Sequence, residues 1–154
     1  MLGLKQSDLA SKAMLTRSVL LGLEHPGRKH PDRLALSRLR DFLLGEGLIF
    51  VEATEVAGEG VRWARPSGQD WIDCLRVARA MLGCTLDELS EKSSVGRYVI
   101  ARLEKTERRR TNEEAAYRLR EALFGSGVVI LPEEIDVGAG VRLRLKGQKV
   151  TSPV

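Results

Sequence analysis

The sequence contains few of the residues on which covalent, metal or redox chemistry depends. Two cysteines and two histidines occur among 154 residues, and Cys74 and Cys84 belong to no CxxC or Cys/His cluster. His25 and His30 belong to no arrangement of serine, cysteine or carboxylate residues of the catalytic-triad or metal-ligand kind. We therefore expect two reduced, buried cysteines, and we predict no metal, no cofactor and no enzymatic activity.

Long apolar runs and nucleotide-binding loops are also absent. No segment approaches the roughly 18 apolar residues of a membrane-spanning helix, and no charged region followed by an apolar signal core comes after Met1. A Walker loop, a Rossmann glycine fingerprint and a pair of catalytic acids are missing as well. The expected protein is soluble and cytoplasmic, and a membrane is not among its expected partners.

Charge gives only a weak indication of the partner. Lys and Arg number 25 against 21 Asp and Glu, for a net charge of +4 and a pI near 9.3. This balance favours a polyanionic partner. A chain in which 30% of the residues are charged could equally present a well-solvated surface.

The sequence is an internal duplication. An offset of 80 residues aligns Met1–Arg65 with Met81–Leu145 without a gap, and 21 of the 65 aligned pairs are identical. Chance would give about four or five identities at average residue usage. Each copy is too long to be a solenoid repeat, so we expect each to form a domain with its own core.

The copies are joined by a short segment rich in turn-forming residues. Pro66 to Gln69 is the predicted linker. The predicted domains are 1–65 and 70–147, followed by a tail at 148–154. A helix predicted at 70–82 has no counterpart before Met1, so the first helix of the first copy is apparently missing; an upstream start or a helix supplied from elsewhere would each explain this.

Helix-period patterns and caps place the helices. The first copy should contain helices at 6–14, from Thr16 as N-cap to Glu24, and from Pro31 and Asp32 to Leu44. Runs of strand formers at 48–51 and 61–63, and at 128–131 and 141–145, predict one β-hairpin per copy. An isolated hairpin is marginally stable, so the hairpins must pack on helices, on each other or on a second molecule, as in a dimer.

Two short helices separated by a break of three to four residues occur in each copy, at 5–24 and 85–104. The second helix of each carries an arginine at its exposed start, Arg17 or Arg97. These are the proportions of a helix-turn-helix that offers a recognition helix to the DNA major groove. The predicted fold class is mainly α with small β-hairpins, as two such domains, each followed by a hairpin.

Both copies resemble the phage repressor/Cro-type (XRE) helix-turn-helix family. The resemblance is carried by Leu2-Gly3, Gln6, Leu9-Ala10, Ala13, Thr16-Arg17, Leu20 and Leu23-Glu24, and by Leu82-Gly83, Thr85, Glu88-Leu89, Lys92, Val95, Arg97, Ile100 and Arg102-Leu103-Glu104. It implies that Gln6, at the start of the first motif helix, touches a backbone phosphate. In the second copy Leu86 occupies that place.

The motif defines candidate DNA contacts. Arg17 and Arg97 match the O6/N7 edge of guanine, so related half-sites with a guanine at equivalent positions are predicted. Basic segments behind each recognition helix would contact phosphates. The predicted DNA-binding residues are Gln6, Thr16, Arg17, Ser18, Arg28, Lys29, Thr85, Arg97, Tyr98, Arg102, Lys105, Arg108, Arg109 and Arg110.

Other interpretations of these residues remain open. The two arginines could be solvated charges on a helix face, and the basic segments could merely solvate loops. Glu24 and Glu104 are expected to cap or pair within their domains, and Trp63 and Trp71 to serve the core or a domain contact. The leading function is a transcriptional regulator on a pseudo-palindromic or direct-repeat site; the alternative is an interaction module, antitoxin-like, anti-activator or RNA polymerase-recruiting, in which one copy binds DNA.

Overall fold

The computed structural model describes residues 2–25, 30–66, 68, 70–105 and 112–145. Within these ranges the chain forms seven α-helices and a small antiparallel sheet, which confirms the mainly α class with small β elements. The helices are α1 (Gln6–Lys12), α2 (Arg17–Glu24), α3 (Arg33–Gly45), α4 (Trp71–Met81), α5 (Leu86–Ser93), α6 (Arg97–Leu103) and α7 (Glu113–Ser126). The strands are β1 (Leu48–Val51), β2 (Gly60–Trp63), β3 (Val128–Leu131) and β4 (Gly140–Leu143).

Side-chain caps fix the helix starts where the sequence predicts them. The Thr16 hydroxyl accepts the Val19 N–H at 3.3 Å. The Asp32 carboxylate accepts the N–H groups of Leu34 and Ala35 at 3.0 and 3.1 Å. Each cap supplies an acceptor for orphan N–H groups of the first turn. The predicted starts of α2 and α3 are therefore confirmed within one or two residues.

The turns of the two copies repeat at the 80-residue offset. Gly47 and Gly127 follow α3 and α7 with φ of 84° and 104°, a conformation that glycine adopts without strain. In the turn between the two short helices, the equivalent residues Met14 and Ser94 both have a φ of 54°. The duplicated sequence is thus accompanied by duplicated backbone geometry.

The two hairpins belong to one sheet. The strand order is β1-β2-β4-β3, and β2 pairs antiparallel with β4. Sequence analysis predicts a hairpin in each copy, and here the hairpins pack on each other through their inner strands. Pairing gives the backbone groups at the edges of β2 and β4 hydrogen-bond partners that an isolated hairpin would leave to solvent.

The chain divides into two compact units, residues 2–49 and the chain from Phe50 onward. The division lies within β1, whereas the sequence suggests a boundary at 66–69. The reason is the pairing of β2 with β4, which brings the first copy's hairpin into the same unit as the second copy.

The unit that begins at Phe50 has a large apolar core. Helix α4 contributes Cys74, Leu75 and Ala78, all completely buried. Around them lie Leu89, Ile100, Leu103, Leu119, Leu123, Val128 and Val141, with Trp71 packed against the cluster. The unit of residues 2–49 buries a smaller set, Ala10, Ala13, Leu20, Ala35 and Leu48. None of the helices in the described ranges is long and apolar enough to cross a lipid bilayer.

Candidate nucleic-acid interface

The first helix pair, α1 and α2, presents the start of α2 to solvent. Leu20 is completely buried, and Ala10 and Ala13 pack at 2% exposure, so one side of the pair faces inward. Thr16, Arg17 and Ser18 are exposed on the other side. The Thr16 and Ser18 hydroxyls are hydrogen-bonded at 3.0 Å, which adds to the cap on Val19. The polar start of α2 is therefore accessible and ordered by its own cap.

The second helix pair, α5 and α6, has the same arrangement with a fuller interior. Leu89 and Ile100 are completely buried, and Leu103 is 4% exposed. On the opposite side the Arg97 side chain is 57% exposed and Tyr98 is 89% exposed. One turn later Arg102 is exposed as well. Three groups able to donate hydrogen bonds are thus offered to solvent along α6.

Serine hydroxyls hold the turn between α5 and α6. The buried Ser93 hydroxyl donates to the Leu89 carbonyl at 2.6 Å and accepts the Val95 N–H at 3.3 Å. The Ser90 hydroxyl donates to the Val95 carbonyl at 2.7 Å. Alanine occupies the equivalent positions of the first copy, residues 10 and 13. The second turn is therefore tied by side-chain bonds that the first cannot make.

Asp87 lies beside Arg97 at the exposed start of α6. Its Oδ1 is 3.4 Å from Arg97 Nε, and both side chains are more than half exposed, at 64% and 57%. The equivalent of Asp87 in the first copy is Ser7, which carries no charge. Sequence analysis overlooked Asp87; the signal was an acidic residue in the first turn of α5, near the turn that leads to Arg97. The ion pair holds the guanidinium near one acceptor in the free protein.

Glu24 and Glu104 pair within their own copies, which confirms the expectation for both. Arg79 of α4 donates to Glu104 from Nε at 2.7 Å and from Nη2 at 2.9 Å, and its Nη1 donates to the Cys84 carbonyl at 2.7 Å. The Glu104 side chain is only 8% exposed. In the first copy Glu24 accepts from Gln6 Nε2 at 2.6 Å, and this contact is exposed.

The electrostatics of the Arg79–Glu104 pair follow from its geometry. The bidentate hydrogen bond to Glu104 raises the pKa of Arg79 above its usual value, although burial acts in the opposite direction. A charge-assisted bidentate contact of this kind fixes both position and orientation. The pair joins the end of α6 to α4, so it locks the orientation of the helix that carries Arg97.

Two predicted DNA-binding residues, Gln6 and Thr85, have intramolecular partners. Gln6 bonds to Glu24 as described. Thr85 forms a capping box: its hydroxyl accepts the Glu88 N–H at 3.2 Å, and Glu88 Oε2 accepts the Thr85 N–H at 2.7 Å. The Thr85 hydroxyl also donates to Glu88 Oε2 at 3.0 Å, and the two hydrogen bonds that the carboxylate accepts from Thr85 lower the pKa of Glu88. Both residues are exposed at the start of their helix.

The basic residues behind the second helix of each pair are described only in part. Lys105 is exposed directly after α6. Arg102 and Arg118 line a pocket of about 350 Å³ between α6 and the start of α7, together with Val99 and Leu103. The remaining predicted phosphate contacts, Arg28, Lys29, Arg108, Arg109 and Arg110, lie outside the described residues.

Cysteines and metal-ligand groups give no second candidate site among the described residues. Cys74 and Cys84 are free and buried, as expected. Burial raises the pKa of the Cys74 thiol to about 11, so the thiol stays protonated and unreactive at neutral pH. No group of three His, Cys, Asp or Glu side chains in the described residues could hold a metal ion.

Comparison with known proteins adds no relative: no family model, curated protein or solved structure matches the chain. Function must therefore be inferred from the residues themselves. What they offer is a pair of short helices in each copy, with a buried inner face and an exposed, hydrogen-bonding start to the second helix that carries an arginine at the same repeat position.

Proposed function

We propose that this protein is a sequence-specific regulator of transcription that binds double-stranded DNA through two tandem helix-turn-helix units of the repressor/Cro type. Its compartment would be the cytoplasm, at the nucleoid. The observation that carries the proposal is the paired exposure of Arg17 and Arg97 at the starts of α2 and α6. In a helix-turn-helix these first residues of the second helix face the base edges.

The chemistry of the exposed residues fits a duplex. The arginine fork can donate two parallel hydrogen bonds to guanine O6 and N7. Thr16, Ser18 and Tyr98 add hydroxyl donors, and Arg102 and Lys105 add cations for phosphates. The second helices of the two copies differ at two positions: Ser18 corresponds to Tyr98, and Gly22 corresponds to Arg102. The two half-sites should therefore be related but unequal.

A binding selection from genomic fragments, followed by fluorescence anisotropy under titrated salt, tests this function. Arg97→Ala should cost about 1 to 3 kcal/mol at one base position. The matched control is Arg120→Ala, which removes an exposed arginine from α7. Binding that is indifferent to sequence, or that loses no more with Arg97→Ala than with the control, would contradict the proposal.

A second candidate function is an interaction module in which only one copy binds DNA. The observation in its favour is apolar exposure in the first copy: Met14 is 76% exposed, Leu34 63%, Leu36 47% and Leu21 44%. Burial of these side chains against another protein would remove their apolar surface from water. RNA polymerase or a regulatory protein would be the partner.

A nuclease footprint and a pull-down separate the two functions. The tandem model predicts protection of two half-sites. The interaction module predicts protection of one half-site and retention of purified RNA polymerase, with the retention lost in Leu34→Glu.

A further inference from the structure

The contact between β2 and β4, here called the seam, is reciprocal. Val61 pairs with Val141, its own equivalent at the 80-residue offset, and Gly60–Arg142 and Arg62–Gly140 flank that pair. When each residue is replaced by its equivalent in the other copy, the Gly60–Arg142 pair becomes the Gly140–Arg62 pair. The seam therefore has a local two-fold axis at the Val61–Val141 pair.

The backbone hydrogen bonds at the ends of the seam have the same two-fold symmetry. The Gly58 N–H donates to the Leu143 carbonyl at 2.9 Å, and the Gly138 N–H donates to the Trp63 carbonyl at 3.0 Å. The reverse bonds also form a pair: Trp63 N–H to the Ala139 carbonyl at 3.0 Å and Leu143 N–H to the Glu59 carbonyl at 2.8 Å. Residues of one copy thus have the partners that their equivalents have in the other.

The equivalent residues Arg62 and Arg142 donate hydrogen bonds across the seam, one from each side. Arg62 Nε donates to the Gly138 carbonyl at 2.9 Å, and Arg142 Nε donates to the Gly58 carbonyl at 2.6 Å. Each guanidinium then reaches further into the loop of the other hairpin, Arg62 to the Pro132 carbonyl and Arg142 to the Glu52 carbonyl, both at 3.0 Å. These positions, 52 and 132, are again equivalent.

Glycine is required where the two copies approach most closely. A Cβ on Gly60 would lie 2.5 Å from the Val141 carbonyl oxygen, and a Cβ on Gly140 would lie 2.6 Å from the Val61 carbonyl oxygen. Backbone atoms cannot move aside as a flexible side chain can. Glycine therefore allows the same close backbone contact on both sides of the two-fold axis.

Reciprocal contacts of this kind define an isologous interface, the type found in two-fold homodimers. We infer that the seam is a homodimer interface formed within one chain, and that the DNA ligand is accordingly a single inverted repeat bound by one molecule. The inference rests on the proposed DNA-binding function. It decides between the pseudo-palindromic and direct-repeat arrangements, because operator palindromy mirrors two-fold symmetry in the protein.

Two features of the sheet apply equally to both copies. Helix α3 is followed by β1 and α7 by β3 after at most two residues, so the two copies have the same order of elements along the chain. The inner edges of β2 and β4 pair with each other, which leaves β1 and β3 at the outside of the sheet. The seam is filled by the chain's own two hairpins, and a second molecule is not needed to complete it.

Orientation-swapped duplexes test the inference. A duplex recovered by selection is resynthesised with one half-site reversed at constant spacing, and binding of the full chain is compared by anisotropy. Native mass spectrometry of each complex gives the number of chains. We expect one chain on the inverted arrangement and, because simultaneous engagement of both half-sites is lost, affinity for the direct arrangement lower by on the order of a hundredfold.

Two seam variants connect this preference to the structure. Gly140→Val should abolish the seam, and Arg62→Ala should weaken it while the β2–β4 backbone pairs remain. Both should reduce the inverted-over-direct ratio, with Gly140→Val the stronger where circular dichroism shows that it is folded. If Gly140→Val does not fold, Arg62→Ala decides, with Arg120→Ala as the control that leaves the ratio unchanged.

The outcomes separate this inference from the function on which it depends. Selection of direct repeats, two chains per inverted repeat, or a ratio that Arg62→Ala leaves unchanged would overturn the seam as the source of site symmetry while the DNA-binding function stands. Absence of any sequence preference would overturn the proposed function itself, and the inference with it.

Discussion

The α1–α2 pair and the α5–α6 pair place the same residue, arginine, at the start of their second helix, yet they are stabilised by different contacts. Arg79 and Glu104 clamp the second pair in a nearly buried bidentate contact, whereas Glu24 in the first pair meets an exposed Gln6. Serine hydroxyls tie the second turn and alanines line the first. The two copies thus share the proposed contact surface but differ in the hydrogen bonds and ion pairs that hold its helices in place.

The difference shows which contacts a helix pair needs in order to present an exposed arginine. In the first copy the support is a capped helix and a small buried set of Ala10, Ala13 and Leu20. The second copy adds an ion pair, a capping box and a larger core. We expect the second pair to be the more rigid, because its helices are joined to α4 as well as to each other.

The largest expected effect separates the two glutamates. Glu104→Ala leaves Arg79 without its carboxylate partner and should destabilise the protein by about 3 kcal/mol, the typical cost of breaking a buried pair. Glu24→Ala removes an exposed hydrogen bond and should cost less than about 1 kcal/mol. Urea denaturation followed by circular dichroism measures both. Equal losses would show that the two copies are supported alike.

A smaller effect is expected from the helix caps. Thr85→Ala removes the capping box of α5 and should cost about 1 kcal/mol. The converse change, Lys5→Thr, gives α1 the side-chain cap that it lacks and should stabilise the first pair by several tenths of a kcal/mol. Thermal denaturation of both variants beside the wild-type protein measures the difference. A lower thermal stability of Lys5→Thr would show that the Lys5 side chain itself stabilises the folded protein.

The cap of α5 should also respond to pH. Because the folded-state pKa of Glu88 is lowered, its contribution is present above the carboxyl's unfolded pKa, near 4.3, and is lost as pH falls through the lower folded value. The penalty of Thr85→Ala should therefore shrink in acid. A penalty that is constant from neutral pH to acid would indicate that Glu88 does not contribute.

The smallest effect concerns the charge beside Arg97. Asp87→Ser gives the second pair the residue of the first, and loss of an acidic group near DNA phosphates should strengthen binding to all duplexes by about threefold at low salt. Ser7→Asp should weaken binding by a similar factor. Anisotropy at two salt concentrations measures both variants, with Glu121→Gln as a charge-matched control. Changes no larger than that of Glu121→Gln would show that the charge of Asp87 has no specific effect on DNA binding.

Local features of the fold were accessible from the sequence, and distant ones were not. The bounds of β1 and β3 are those predicted, and the caps at Thr16 and Asp32 lie where the hydroxyl and the carboxylate indicate. These features depend on neighbours within a few residues. The reciprocal seam depends on Arg62 and Gly138, which lie 76 residues apart, and no local pattern specifies that pairing.

The candidate site divides in the same way. Exposure of Arg17 and Arg97 follows from helix periodicity, since the apolar positions of α2 and α6 fix which face turns inward. The bond from Gln6 to Glu24 and the ion pair of Asp87 with Arg97 join different helices, so they could be found only in the folded chain. The sequence predicted the surface, and the structure added the partners that hold it.

The most direct test of the central claim is a base-by-base binding profile of the wild-type chain, Arg17→Ala and Arg97→Ala on one selected duplex. The account predicts that each variant loses discrimination at a single guanine, that the two guanines lie at equivalent positions of the two half-sites, and that each loss is about 1 to 3 kcal/mol. Profiles that keep the wild-type shape, whether unchanged or uniformly weakened, would contradict it.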